Sequence, residues 1–304
     1  MTKTNAKAKK ALFFLLDNPV TLMVISFLII LAGHKLSYRL LSALVPMIPG
    51  IAATDAFRTS TLYLGFVGIW VVVPLLLVLI PYNRPILKAL GTKTKGNTPK
   101  MFAVGLAIGL GMNLLCAVIA MINGDIALTF HSFRPVSFLL IFIAVLIQSS
   151  AEEMICRVYM YQRLLRFNCK PLLAAVISAS FFAILHLMNP GITPVSVVNL
   201  FLSGLVYSAM VIYMDSPWAA MAAHAGWNFC QNILLGLPNS GNVVPYSVFK
   251  LDAAAATDSF AYSVSFGLEG SVTNIVVSVI AFGLLAWWGT SRKIVPTNIW
   301  DAAA

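Results

Sequence analysis

Of 304 residues, 60% are hydrophobic and only 10% charged, far below the roughly 25% charged residues of a soluble domain, which excludes an ordinary globular fold and leaves an all-α, polytopic membrane helix bundle. Long continuous apolar runs exclude a transmembrane barrel, whose signature is alternating segments separated by turns. The net charge of +10 would point a soluble protein toward nucleic acid, but here the basic residues sit between apolar runs, so the expected contact is the lipid bilayer and no nucleic acid.

The chain opens with Lys3, Lys7, Lys9 and Lys10 ahead of a long apolar run that lacks a clear cleavage site. This predicts a first membrane helix, not a removed signal peptide. Eight apolar runs follow, at roughly 19–33, 61–80, 101–122, 136–160, 171–188, 195–213, 218–236 and 272–289, so about eight transmembrane helices are expected. Pro81, Pro85, Pro135, Pro171, Pro190-Gly191, Pro217 and Pro238 punctuate their ends. Segment 34–60, with Lys35, Arg39 and Arg58, reads as an interfacial amphipathic helix or a plain loop. Segment 237–271 is the longest stretch on its side and carries no catalytic or metal-binding cluster. Three parts are expected: helices one to three in 1–135, a catalytic core of helices four to seven in 136–236, and a loop with the last helix in 237–304. The four cysteines form no CxxC pair, and neither a disulfide framework nor a zinc cluster is indicated.

Basic residues set the orientation. With the N-terminus in the cytoplasm, that side holds Lys3, Lys7, Lys9, Lys10, Arg84, Lys88, Lys93, Lys95, Lys100, Arg163, Arg166, Lys170, Arg292 and Lys293. The other side holds only Lys35, Arg39, Arg58, Arg134 and Lys250. A multi-pass protein of the cell membrane with both termini cytoplasmic is expected.

Charges inside membrane helices are costly and mark function. Within the runs they are Glu152, Glu153, Arg157, His186 and His224. Glu153 and Arg157 are i,i+4 neighbours suited to a buried ion pair. Glu152 points about 100° away and lacks a cation of its own, which suits a general base in apolar surroundings. His224 and Asn228 share a helix face, and the Asn228 amide can donate to a developing oxyanion. Runs four and five turn near Cys169, with Glu152 and His186 equally far from the turn and therefore level. With His224 the groups are expected at one depth in the cytoplasmic half of the membrane. The break at Asn189-Pro190-Gly191 suggests a hydrated pocket there.

These residues spell EExxxR (Glu152, Glu153, Arg157), FxxxH (Phe182, His186) and HxxxN (His224, Asn228), in order on separate helices. The pattern resembles the CAAX protease and bacteriocin-processing family of intramembrane endopeptidases, over roughly residues 136–236. Cys156 and Val158 flank the arginine where the family usually has Phe and Gly. The resemblance implies an endopeptidase in which Glu152 activates water, Glu153 and Arg157 hold the site together, and His186, His224 and Asn228 complete it. Its substrate would be a membrane-associated protein or peptide, such as a prenylated CAAX tail or a precursor.

A divalent metal such as zinc stays an open point: two His and a carboxylate form a known zinc constellation, and His186, His224 and Glu152 would be the ligands if a metal is used. The HExxH helix of common metalloproteases is absent. Two other readings compete. One is a non-catalytic membrane binding or immunity factor of the same fold. The other is a secondary transporter, which the absence of a visible inverted repeat disfavours.

Overall fold

The structure, a computed structural model, describes residues 15–48, 50 and 53–300. Lys3, Lys7, Lys9 and Lys10, used above for orientation, lie outside the described residues. In chain order come α1 (Pro19–Leu44), α2 (Asp55–Leu64), α3 (Val67–Leu79), α4 (Pro99–Ile122), β1 (Leu128–Phe130), α5 (Pro135–Glu153), α6 (Tyr161–Arg166), α7 (Pro171–Leu185), α8 (Pro194–Tyr213), α9 (Pro217–Asn228), β2 (Phe249–Leu251) and α10 (Val272–Ser291). A π-helical turn, Met154–Met160, joins α5 to α6, and another, Phe229–Leu234, extends α9.

Proline recurs at the first helical position, where its missing N–H costs nothing. Pro19, Pro99, Pro194 and Pro217 start their helices, and the preceding Asn18, Thr98, Thr193 and Ser216 accept hydrogen bonds from the exposed backbone N–H groups.

Each of the eight apolar runs folds as helix, and the molecule is a multi-pass helical bundle. Among the described residues six spans are long and apolar enough to cross a membrane: Pro19–Met47, Asp55–Leu79, Pro99–Ile122, Pro135–Arg166, Pro194–Tyr213 and Val272–Ser291. The other two are short. Helix α7 has 15 residues, and α9 has 12 before its π turn. Helix α9 is buried along almost its whole length, which frees it from matching the bilayer thickness, whereas α7 keeps Leu172, Leu173 and Ile184 exposed on one face. Segment 34–60 departs from the expectation. Helix α1 continues through Lys35 and Arg39 to Leu44 because no breaker precedes Pro46. Ser37 Oγ donates to Gly33 O at 3.0 Å and accepts from Gly68 N at 2.8 Å, which holds this upper part of α1 on α3.

The bundle has two distinct ends. At one, Asp17 receives hydrogen bonds from Arg163 and Arg166, and Arg166 also reaches Tyr82 O, Asn83 and the Trp300 ring. Asp215 joins the same end, accepting from Lys95 N and Thr297. This end carries Arg84, Lys88, Lys93, Lys95, Lys100, Lys170, Arg292 and Lys293 as well; it is called the basic end. At the opposite end, β1 and β2 pair antiparallel and tie the 123–134 loop to the long 235–271 loop. One of the three apolar clusters among the described residues draws on helices from Leu22 to Ile299, and two smaller ones centre on Tyr262 and on Phe229.

Helix α4 lies against α9 at backbone contact distance. A side chain at Gly109 would overlap Ala223 backbone, one residue before His224. Small residues allow such approach in membranes. Gly109→Val is therefore expected to push α4 off α9, with a cost of about 1–3 kcal/mol from overpacking. A fall in the melting temperature of detergent-solubilised protein measures it, and an unchanged value would contradict the close contact.

Candidate active site

The end of α5 and the middle of α9 meet at a chain of polar groups. Glu153 and Arg157, both fully buried, pair at 3.1 Å. Arg157 also donates to Gly204 O at 2.9 Å, and its guanidinium lies over the rings of Phe182 and Tyr207. Gly204 is required there, because any Cβ would strike the guanidinium and the α7 residue Ala179.

The same Glu153 oxygen that holds Arg157 bonds His224 Nδ1 at 2.9 Å. The carboxylate accepts, so Nδ1 carries the proton and Nε2 presents a lone pair. Tyr207 stacks on the His224 ring, with centroids 5.0 Å apart. Nε2 faces Glu152 Oε2 across 3.7 Å. That is too far for a hydrogen bond, and Glu152 Oε2 has no partner though buried. Two acceptors facing each other need a proton or a water between them. The other Glu152 oxygen accepts from Gln148 at 2.8 Å. Gln148 and Ser149 in turn accept from Asn228 Nδ2, at 3.1 and 3.2 Å.

The π turn after Glu153 matters here. π bulges occur mostly at functional sites, and this one places Glu152 and Glu153 at the junction where α5 stops being α-helical. Ser178 of α7 donates to Cys156 O at 2.8 Å, satisfying a carbonyl of the widened turn. A second π turn begins directly after Asn228.

His186 caps α7, and its Nδ1 is 2.8 Å from Phe182 O. It lines the same cavity as Glu152, His224 and Asn228, a space of about 600 Å³. The sequence-predicted set thus shares one site, with Glu153 and Arg157 behind it. Asn228 differs from the expectation in one respect: its amide is engaged by Gln148 and Ser149 instead of standing free. The conditional zinc set is not assembled. His186, His224 and Glu152 line one cavity, yet among the described residues no three His, Cys, Asp or Glu side chains gather as a group able to hold a metal ion.

Glu152 lies about 16 Å from Arg163 and about 26 Å from the start of α5 at Pro135, taking ~1.5 Å per residue, so it sits nearer the basic end than the loop end. The far side of the cavity reaches the long loop: Asn239, Ser240, Asn242, Val243, Val244 and Glu269 line it. That loop, read from sequence as lacking a cluster, holds a buried carboxylate. Glu269 accepts from Trp227 Nε1 at 2.9 Å and from Ser240 N and Oγ at 2.7 and 2.5 Å. It lies outside every apolar run, so a scan for intramembrane charges passes over it. His34, assigned no role from sequence, lines the cavity from α1, and its Nδ1 is 3.0 Å from Gly65 O.

Residues 134–230 match the family described as type II CAAX prenyl endopeptidase Rce1-like. Over this segment, about a third of its length, the chain is similar to that family. The match covers α5 to α9 and every residue of the three motifs, and leaves out α1 to α4, the long loop and α10. A multi-pass membrane enzyme of CAAX-endopeptidase type is the general assignment that goes with it. No curated protein and no solved structure matches the chain.

Burial raises the Glu269 carboxyl above the ordinary carboxylate value, while hydrogen bonds from Ser240 and Trp227 and the nearby His186 oppose the shift. A carboxyl whose folded value is raised binds more protons folded than unfolded. Its contribution to stability is therefore fully present below the unfolded value, near pH 4.3, and is lost as pH rises through the folded one. Melting temperature measured against pH is expected to show this decline in the wild type and to flatten in Glu269→Gln. An identical pH profile for the two proteins would remove Glu269 as the cause.

Proposed function

We propose that this chain is an intramembrane endopeptidase that hydrolyses a peptide bond of a membrane-associated protein, with Glu152 as general base. The observation that carries this reading is the unpartnered Glu152 oxygen facing His224 Nε2 at 3.7 Å in a cavity large enough for a peptide. A water bridging those two acceptors gives one proton to Glu152 as its oxygen attacks the carbonyl carbon. The C–N bond then breaks, the new acid keeps the water oxygen, and Glu152 passes the proton to the departing amine. His224, fixed by Glu153 and Arg157, holds the water. Asn228, released from Gln148 and Ser149 when substrate binds, donates to the oxyanion, and His186 lines the opposite side.

Prenylated CAAX tails and peptide precursors are the substrate classes suggested by the family. No step is assigned to a metal: among the described residues no three His, Cys, Asp or Glu side chains gather into a group able to hold one. The test is a cleavage assay with purified protein and membrane-anchored peptides, comparing wild type with His224→Ala. Cleavage by the wild type, loss of at least about a hundredfold in the variant, and persistence in the presence of a chelator are expected. Biological activity retained by His224→Ala would favour the non-catalytic binding reading instead.

A further inference from the structure

The cavity is closed at the basic end. Among the described residues, none of its lining comes from 80–98, 161–170, 214–218 or 292–300. Past the lining residues Ile155 and Cys156, Arg157, Val158 and Met160 continue toward that end, all fully buried. Toward the loop end the lining becomes polar and continuous with the surface: Asn189, Asn239, Ser240 and Asn242 gather there, and Val243 on the rim is 69% exposed.

Sideways, the cavity borders lipid. Phe27 and Leu31 of α1 and Leu62 of α2 line it, and each is exposed. Helix α1 packs on α3 and on the first π turn, with no comparable packing against α7 or α8. That leaves an apolar seam beside Leu185 and His186. The end away from the cavity mouth is the one rich in Lys and Arg, hence cytoplasmic by charge.

We infer that the active site is reached from the non-cytoplasmic face, and that its substrate is a protein anchored by an apolar segment in the outer half of the bilayer. This inference rests on the endopeptidase reading above and selects among its substrate classes. The apolar anchor lies along Phe27, Leu31 and Leu62. The polar residues after it meet Asn239, Ser240 and Asn242, and the bond between these regions comes to Glu152. A prenylated tail presented from the cytoplasm would face the closed end. The long loop, held by Glu269 and by Asn189 donating to Ser240 O at 3.0 Å, forms the rim.

The test uses the full chain in intact cells and a membrane-impermeant maleimide. Native Cys116, Cys156 and Cys230 are buried, and half-buried Cys169 sits at the α6–α7 turn of the basic end, an internal control. Val243→Cys on the rim and Ser203→Cys inside the cavity are introduced singly. Both are expected to react in intact cells, whereas Cys169 reacts only after permeabilisation. Labelled Ser203→Cys is then expected to lose cleavage of an outer-leaflet-anchored reporter that wild type cuts and Glu152→Gln does not. Reaction of Cys169 in intact cells, or of Ser203→Cys only after permeabilisation or not at all, overturns the inference. Absence of any Glu152-dependent cleavage with the labelling pattern intact would instead overturn the endopeptidase reading.

Discussion

Glu152→Gln is expected to reduce peptide cleavage by roughly 10²–10⁴-fold, the range for loss of a general base, while leaving the protein folded. The two halves of this expectation come from the same geometry. Glu152 Oε2 has no hydrogen-bond partner, so the amide removes no contact on that side. On the other side Gln148 donates at 2.8 Å, and the amide oxygen of glutamine accepts that bond equally well. The side chain is 15% exposed to the cavity, so the exchange strands no charge. What is lost is the ability to take a proton from water. Initial rates with a membrane-anchored peptide, alongside thermal melts of both proteins, separate chemistry from folding. A Glu152→Gln protein that cleaves within a few-fold of wild type would remove Glu152 from the chemistry.

Arg157→Met is expected to act in the opposite way, through the fold. The guanidinium is wholly buried, and it is the only cation paired with Glu153 among the described ion pairs apart from His224. Its removal leaves a carboxylate in the core without an arginine, a change that costs about 3–5 kcal/mol. Lysine should not rescue it, because one guanidinium nitrogen serves Glu153 and another serves Gly204 O. Adding Glu153→Gln to Arg157→Met removes the stranded charge, and the double variant is expected to melt above the single one. Its neutral amide can still accept from His224 Nδ1, although it no longer stabilises a charged ring. Melting curves of the three variants decide the matter. Wild-type stability in Arg157→Met alone would show that the pair contributes nothing.

Much of this was legible in the sequence because charge is so rare in it. A carboxylate, an arginine or an imidazole inside an apolar run stands out, and the i,i+4 spacing of Glu153 and Arg157 foretold their pairing. The level placement of Glu152 and His186 about the Cys169 turn was also readable, since both arms of that hairpin are helical. The π turns were not. A residue inserted into helical hydrogen bonding leaves no trace in apolar periodicity, yet it defines where the α5 geometry ends at Glu153. The break at Asn189-Pro190-Gly191 was visible too, and what it could not show is that α7 stops at His186 with the long loop filling the space beyond. Glu269 stayed hidden because a carboxylate in a polar loop is ordinary until the loop is seen to fold inward. His34 looked like an end-of-run residue until α1 proved to continue to Leu44.

A pocket closed at its basic end has a kinetic signature. Both fragments of a cut chain must leave by the polar mouth and the lipid-facing seam that admitted the intact chain, and the apolar fragment has lipid on one side to hold it there. Turnover of such an enzyme is paced by clearance of its own product, so a single round should run faster than the rounds that follow, and added anchor fragment should compete with fresh substrate.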